Sequence, residues 1–173
     1  MTLTQILKEK KQKSNELKTK FGLLKKYKAL WIIQLNNKVL LQKLYFGLAN
    51  LPIDFVIVWD FWKEGIDEQF KNIYVKDKIL DKDLIWFDFA IFDSEITDIS
   101  KFNKNAIVSI LPEDNHFKSI MKEYQPMKNE WNSYLYSKNN EWSIFHAIAR
   151  YLENYKITFD NKNLVKNIWE EKI

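Results

Sequence analysis

Residues 86–115 read WFDFAIFDSEITDISKFNKNAIVSILPEDN. Two short apolar runs lie inside this stretch, DFAIFD at 88–93 and AIVSIL at 106–111. Each is too short for a helix, rich in Phe, Ile and Val, and closed by Asp, Asn or Pro. Such runs predict strands buried on both faces, as in a parallel sheet. A polar segment of helical length joins them and predicts the crossover that parallel strands require. Any ligand is expected at the strand ends.

Working outward, the same grammar recurs. Residues 29–35 (ALWIIQL) and 54–60 (DFVIVWD) predict two more buried strands, and 72–76 (NIYVK) a weaker one. NSYLYS at 132–137 predicts a last short strand. Between them lie helical patterns. Residues 3–21 place Leu3, Ile6, Leu7, Leu17 and Phe21 loosely on one face, and Gly22 is placed to end that helix. Its middle is nearly all polar, which predicts a peripheral position. Asn36 and Asn37 are expected to cap a helix over 38–48. Short helices are expected over 79–87 and 116–124. The strongest helical pattern is 141–156, with Trp142, Phe145, Ile148, Ala149, Leu152 and Tyr155 inward and Ser143, Arg150, Glu153 and Asn154 opposite. Asp160 is expected to cap a final helix over 161–172. Strands alternating with helices imply an α/β fold: one Rossmann-like lobe over residues 1–173, with a mainly parallel open sheet of about six strands and helices on both faces.

Composition narrows the function classes. The 173 residues are 46% hydrophobic, which excludes a disordered chain. There is no cysteine, so disulfides and thiolate metal sites are excluded. No apolar run approaches the roughly 18 residues of a membrane span, and the N-terminus lacks a signal-peptide pattern, so a cytoplasmic protein is expected. Residues 1–28, a basic helix and turn, carry nine Lys against two Glu, whereas 51–100 carry five Lys against twelve acids. A basic arm can bind nucleic acid, but Lys outnumbers Arg 26 to 1. Phosphate forks favour Arg, so nucleic-acid binding is disfavoured. A solvated helix docked near its own acidic half is the plainer expectation.

The order of segments resembles the C-terminal lobe of GT-B glycosyltransferases, the glycogen and starch synthase type in particular. QKSNELKTKFGL at 12–23 stands where that lobe has an Asn-Lys helix before Gly-Leu. WIIQLNNKVLLQKL stands where it has a strand, a Gly-Arg-Leu turn, Gln-Lys-Gly and a Leu-rich helix. DFVIVWD, WFDFAIFDSEITDI and AIVSILPEDN then take the places of its next strands and donor loops. NSYLYSKNNEWSIFHAIARYLENYK takes the place of its closing segment and long helix. The resemblance covers nearly the whole chain in order and spacing, and little of it in motif letters.

The resemblance implies a lobe that holds a nucleotide-sugar donor and needs a second, N-terminal lobe to close the cleft. The expected partners are therefore a nucleotide-sugar and a protein chain that supplies that lobe, with no membrane. No cofactor and no metal are implied. The family's donor-binding Lys falls at Lys38 with a one-residue gap, and its loop Glu at Glu95. Its turn Arg falls at Gln34, which supplies neither the charge nor the fork. Its loop Gly-Leu falls at Asp98-Ile99, and its Gly-Gly loop near Glu113-Asp114-Asn115. Backbone amides cradle phosphate where Gly clears the way, and acids repel it. The expectation is a degenerate lobe, or one active only with a second lobe in trans. No catalytic residue is identified.

Other candidates stand beside plainer roles. Lys38 at a helix start could meet a phosphate, or be one solvated lysine among many. Glu95 could hold a sugar hydroxyl, or be a first-turn acid that the helix dipole favours. Glu113, Asp114 and His116 form a polar group after a strand, but their spacing fits no metal motif, and a capping loop explains them better. His146 is expected at the surface. Trp59, Phe61 and Trp62 could stack on a sugar, form a partner interface, or fill a core. The alternative to the glycosyltransferase lobe is a non-catalytic interaction module that uses exposed aromatics or the basic N-terminal helix.

Overall fold

The computed structural model describes residues 2–23, 29–58, 71–93, 96–137 and 140–171. Six strands form one sheet: β1 (Leu30–Gln34), β2 (Asp54–Val58), β3 (Ile73–Lys76), β4 (Phe89–Phe92), β5 (Val108–Pro112) and β6 (Ser133–Tyr136). Their order is β3-β2-β1-β4-β5-β6, and every pairing is parallel. The two runs of the opening stretch are neighbours, with Phe89 opposite Val108 and Ile91 opposite Ile110. β4 is apolar along its length, and β1 and β5 nearly so, because both faces of the sheet are covered.

One face packs on α2 (Lys38–Ala49), α4 (Glu141–Lys156) and α5 (Thr158–Glu170). Trp31, Phe55, Phe89 and Ile91 point that way and meet Leu41, Leu44, Ile148 and Tyr151. Trp31 packs edge-on against Phe55 and Tyr151. The other face packs Ile32, Val56, Ala90 and Phe92 against Leu84, Ile99 and Phe102. These come from a 3-10 helix (Asp81–Trp86), α3 (Ser100–Lys104) and the segment before it. Asn37 caps α2 by accepting the Leu40 N–H, and Asn140 caps α4 by accepting the Ser143 N–H.

The N-terminal helix α1 (Leu3–Lys20) is not peripheral. Its polar middle faces inward: Lys10, Ser14 and Lys18 are buried at helical spacing beside Ile6 and Leu17. It lies against the N-terminal edge of the sheet. Lys10 Nζ donates to the carbonyls of Phe87 (2.6 Å) and Ala106 (2.8 Å), just ahead of β4 and β5. Lys18 Nζ reaches the carbonyl of Ala29 and the carboxylate of Asp54, ahead of β1 and at the start of β2. The N-terminal ends of the strands present backbone carbonyls, so the helix face that covers them carries long donors rather than leucines.

Five local expectations are corrected. The crossover between β4 and β5 condenses to the five-residue α3, because Ile99 and Phe102 anchor it directly on the sheet. The helix expected over 79–87 is a six-residue 3-10 helix. Residues 116–120 form turns, not a helix, because the Asn115 side chain accepts the Phe117 N–H and donates to the Pro112 carbonyl. Asp160 lies in the first turn of α5, which begins at Thr158 without a side-chain cap. On α4 the buried line runs through Ile144, Ala147, Ile148, Tyr151 and Asn154. Trp142 is therefore outward, at 76% exposure, and Asn154 is inward.

Candidate functional site

All six strands end on one edge of the sheet, and the strand order reverses between β1 and β4. Chains leaving β1 and β4 pass to opposite faces there, which opens a crevice at the strand ends. A cavity of about 470 Å³ adjoins this point on the α3 side. Its floor is apolar, with Ile32, Val58, Leu84 and Phe102. Its rim is polar. Gln34 and Asn36 come from the end of β1, Asp77 and Lys78 from the turn after β3, and Lys101 from α3. Lys101 also pairs with the exposed Asp81 at 3.3 Å. An apolar floor with a few converging polar groups is the general form of a small-ligand site.

The loops beside the cavity are closed by acids that already have work. Asp93, just past β4, accepts the backbone N–H of Asn36 across the β1–β4 crevice. Asp98 accepts both the N–H (2.9 Å) and the hydroxyl (2.7 Å) of Ser100 and so starts α3. The Ser100 hydroxyl bond lowers the Asp98 pKa, with the Ser100 amide acting in the same direction. Ile99 is wholly buried in the core beneath. Where a phosphate loop would expose an amide, the Asp98–Ser100 turn spends that of Ser100 on its own carboxylate, with Ile99 packed beneath. From the end of β6, two strands away, the Tyr136 hydroxyl donates to the Phe92 carbonyl at 2.6 Å. Burial raises the Tyr136 pKa, and Asp93 and Asp114 add to the rise, so negative charge gathers around this corner.

The sequence-derived candidates fall differently. Gln34 lines the cavity. Lys38 is the exposed first residue of α2, whose buried face packs on the opposite side of the sheet from the cavity floor, and it is not among the lining residues. Glu95, Trp59, Phe61 and Trp62 lie outside the described residues. Glu113, Asp114 and His116 are exposed around the Asn115 turn. Among the described residues no group of three or more His, Asp or Glu could hold a metal. His146 is exposed on α4. Neither described glycine ends a strand: Gly22 follows α1 at φ +67°, and Gly47 lies inside α2. Asn36, Asp77, Lys78, Lys101 and Asp93 were missed. Asp93 carried a usable signal, since it closes the DFAIFD run at the strand end where ligands gather. The others meet only through the fold.

Neither a family model nor a curated protein matches the sequence. The fold does have solved counterparts. One is the catalytic domain of starch synthase IV from Arabidopsis thaliana, a structure bound to ADP and acarbose. The match has a TM-score of 0.75 at 14% identity and covers 94% of this chain. The chain spans 39% of the length of that domain. Its fold is thus that of a Rossmann-like lobe of the GT-B glycogen and starch synthase type.

Proposed function

We propose that this chain is a glycosyltransferase-related C-terminal lobe with its nucleotide-sugar site at the β1–β4 switch point. It forms a single domain over residues 1–173 and works in the cytoplasm. It is either degenerate or completed by a second lobe supplied in trans. The observation that carries this is the coincidence of the switch-point cavity with a sheet that matches a starch synthase fold over 94% of the chain. The match to an ADP-bound structure makes a nucleotide diphosphate the natural ligand class to test. In this reading Lys78 and Lys101 are the cations nearest the cavity, while Lys38 and Glu95 remain the residues assigned by family resemblance. Among the described residues no helix is long and apolar enough to cross a membrane.

Titration calorimetry with ADP- and UDP-sugars, followed by a thermal melt, tests the donor site. Weak binding in the millimolar range is expected. The absence of both heat and a melting shift at millimolar ligand would overturn retained donor binding.

A second reading has one observation in its favour. Val39 and Phe46 on α2 and Trp142 on α4 are all strongly exposed, and Trp142 shares a shallow groove with Gly47, Leu51 and Phe145. An apolar surface of this kind suits a protein partner. The basic helix is less suited, since Lys10 and Lys18 are buried against the sheet edge.

A further inference from the structure

We infer that Asp93 is an internal stand-in for the phosphate of a nucleotide and sets which ligands the crevice accepts. The inference rests on the proposed nucleotide-sugar site and concerns a residue that the family resemblance does not assign. Asn36 lines the cavity, and its backbone N–H points at the β1–β4 crevice from the turn that leads into α2. In a doubly wound sheet such an amide is a donor for an incoming anion. Here the Asp93 carboxylate takes that donor.

An anionic ligand faces two obstacles at this point. It must displace a charge-assisted hydrogen bond. It must also sit beside Asp93 itself, with Asp114 close enough to act on the same Tyr136 hydroxyl. Elsewhere on the rim the one acid, Asp77, is outnumbered by two lysines. The cavity floor is apolar, and the rim offers the Gln34 amide, Lys78 and Lys101. A nucleoside, being uncharged, meets only the favourable part. The crevice therefore discriminates against the diphosphate and not against the base and ribose.

The test is calorimetry on the full chain with adenosine and ADP as probes, in the wild type, Asp93→Ala and Asp93→Asn. Asp93→Ala removes both the occupant and its charge. Its ADP affinity is expected to rise about tenfold or more, with adenosine affinity changed less than about twofold. Asp93→Asn keeps an acceptor for Asn36 and loses only charge, so a smaller ADP gain is expected. It carries the test if the alanine variant does not fold. Equal ADP affinity in all three proteins would overturn the inference and leave the nucleotide site standing. Wild-type preference for ADP over adenosine by tenfold would do the same. Failure of both probes to bind any of the three proteins would overturn the inference together with the nucleotide reading.

Discussion

Lys18 Nζ lies 2.7 Å from Asp54 Oδ2, and the two side chains are 1% and 0% exposed. The pair joins α1 to the start of β2. With the buried Lys10, it seats a lysine-rich helix against the sheet. Asp54→Leu leaves a buried ammonium without the Asp54 carboxylate and is expected to cost about 3–5 kcal/mol. Replacing both partners, as in Lys18→Met with Asp54→Leu, is expected to cost less than either single change, because no charge is then stranded. Urea unfolding of the four proteins as a double-mutant cycle measures the coupling.

Lys10 makes stability depend on pH. Burial lowers its pKa from 10.5 to about 8, against the opposing pull of Asp88. Between those two values the unfolded chain binds more protons at this site than the folded chain. Stability should therefore rise with pH from about 8 upward. Above about 10 the trend reverses. Burial raises the pKa of Tyr134, Tyr151 and Tyr155, so the unfolded state releases their protons first. In Lys10→Met the rise above pH 8 should disappear while the fall above pH 10 remains. Denaturant midpoints recorded from pH 7 to 11 check both limbs.

At Gly47 of α2 the Phe145 ring of α4 packs directly on the backbone. A Cβ built there would overlap the Phe145 ring. In an open helix Gly→Ala gains about 1 kcal/mol of helix propensity. Here the overlap should outweigh it, with a net loss of about 1–2 kcal/mol for Gly47→Ala. In a Phe145→Ala background the same substitution should become stabilising. Thermal melts of the two pairs decide the sign.

The cavity and the resemblance disagree about which lysine matters. Lys101 lines the cavity and Lys38 does not. Lys101→Ala is expected to weaken ADP binding by about threefold to tenfold, the loss of one exposed cationic contact. Lys38→Ala is expected to change it by less than about twofold. Calorimetry on both variants compares them. A larger loss with Lys38→Ala would move the anion site to the first turn of α2.

The strands were legible without coordinates. DFAIFD, AIVSIL and ALWIIQL are short, apolar and punctuated, and a buried parallel strand needs little beyond that. The caps at Asn37 and the end of α1 at Gly22 were legible too, because capping is decided within a few residues. Gln34, which the resemblance puts at the turn after the first strand, lines the cavity.

Other features depended on neighbours far along the chain. The face α1 turns inward is set by the strand N-terminal ends at Ala29, Asp54, Phe87 and Ala106, whose carbonyls and carboxylate call for lysine rather than leucine. The rotation of α4 that exposes Trp142 and buries Asn154 is set by its seat on the sheet. So is the meeting of Asp93 with Asn36, 57 residues apart. Periodicity records that a residue is apolar and where it repeats. It carries no record of which backbone donor a carboxylate will face once β1 and β4 lie side by side. The opening stretch therefore announced its two strands from local pattern alone, and only their packing revealed that the acid closing the first of them occupies the crevice.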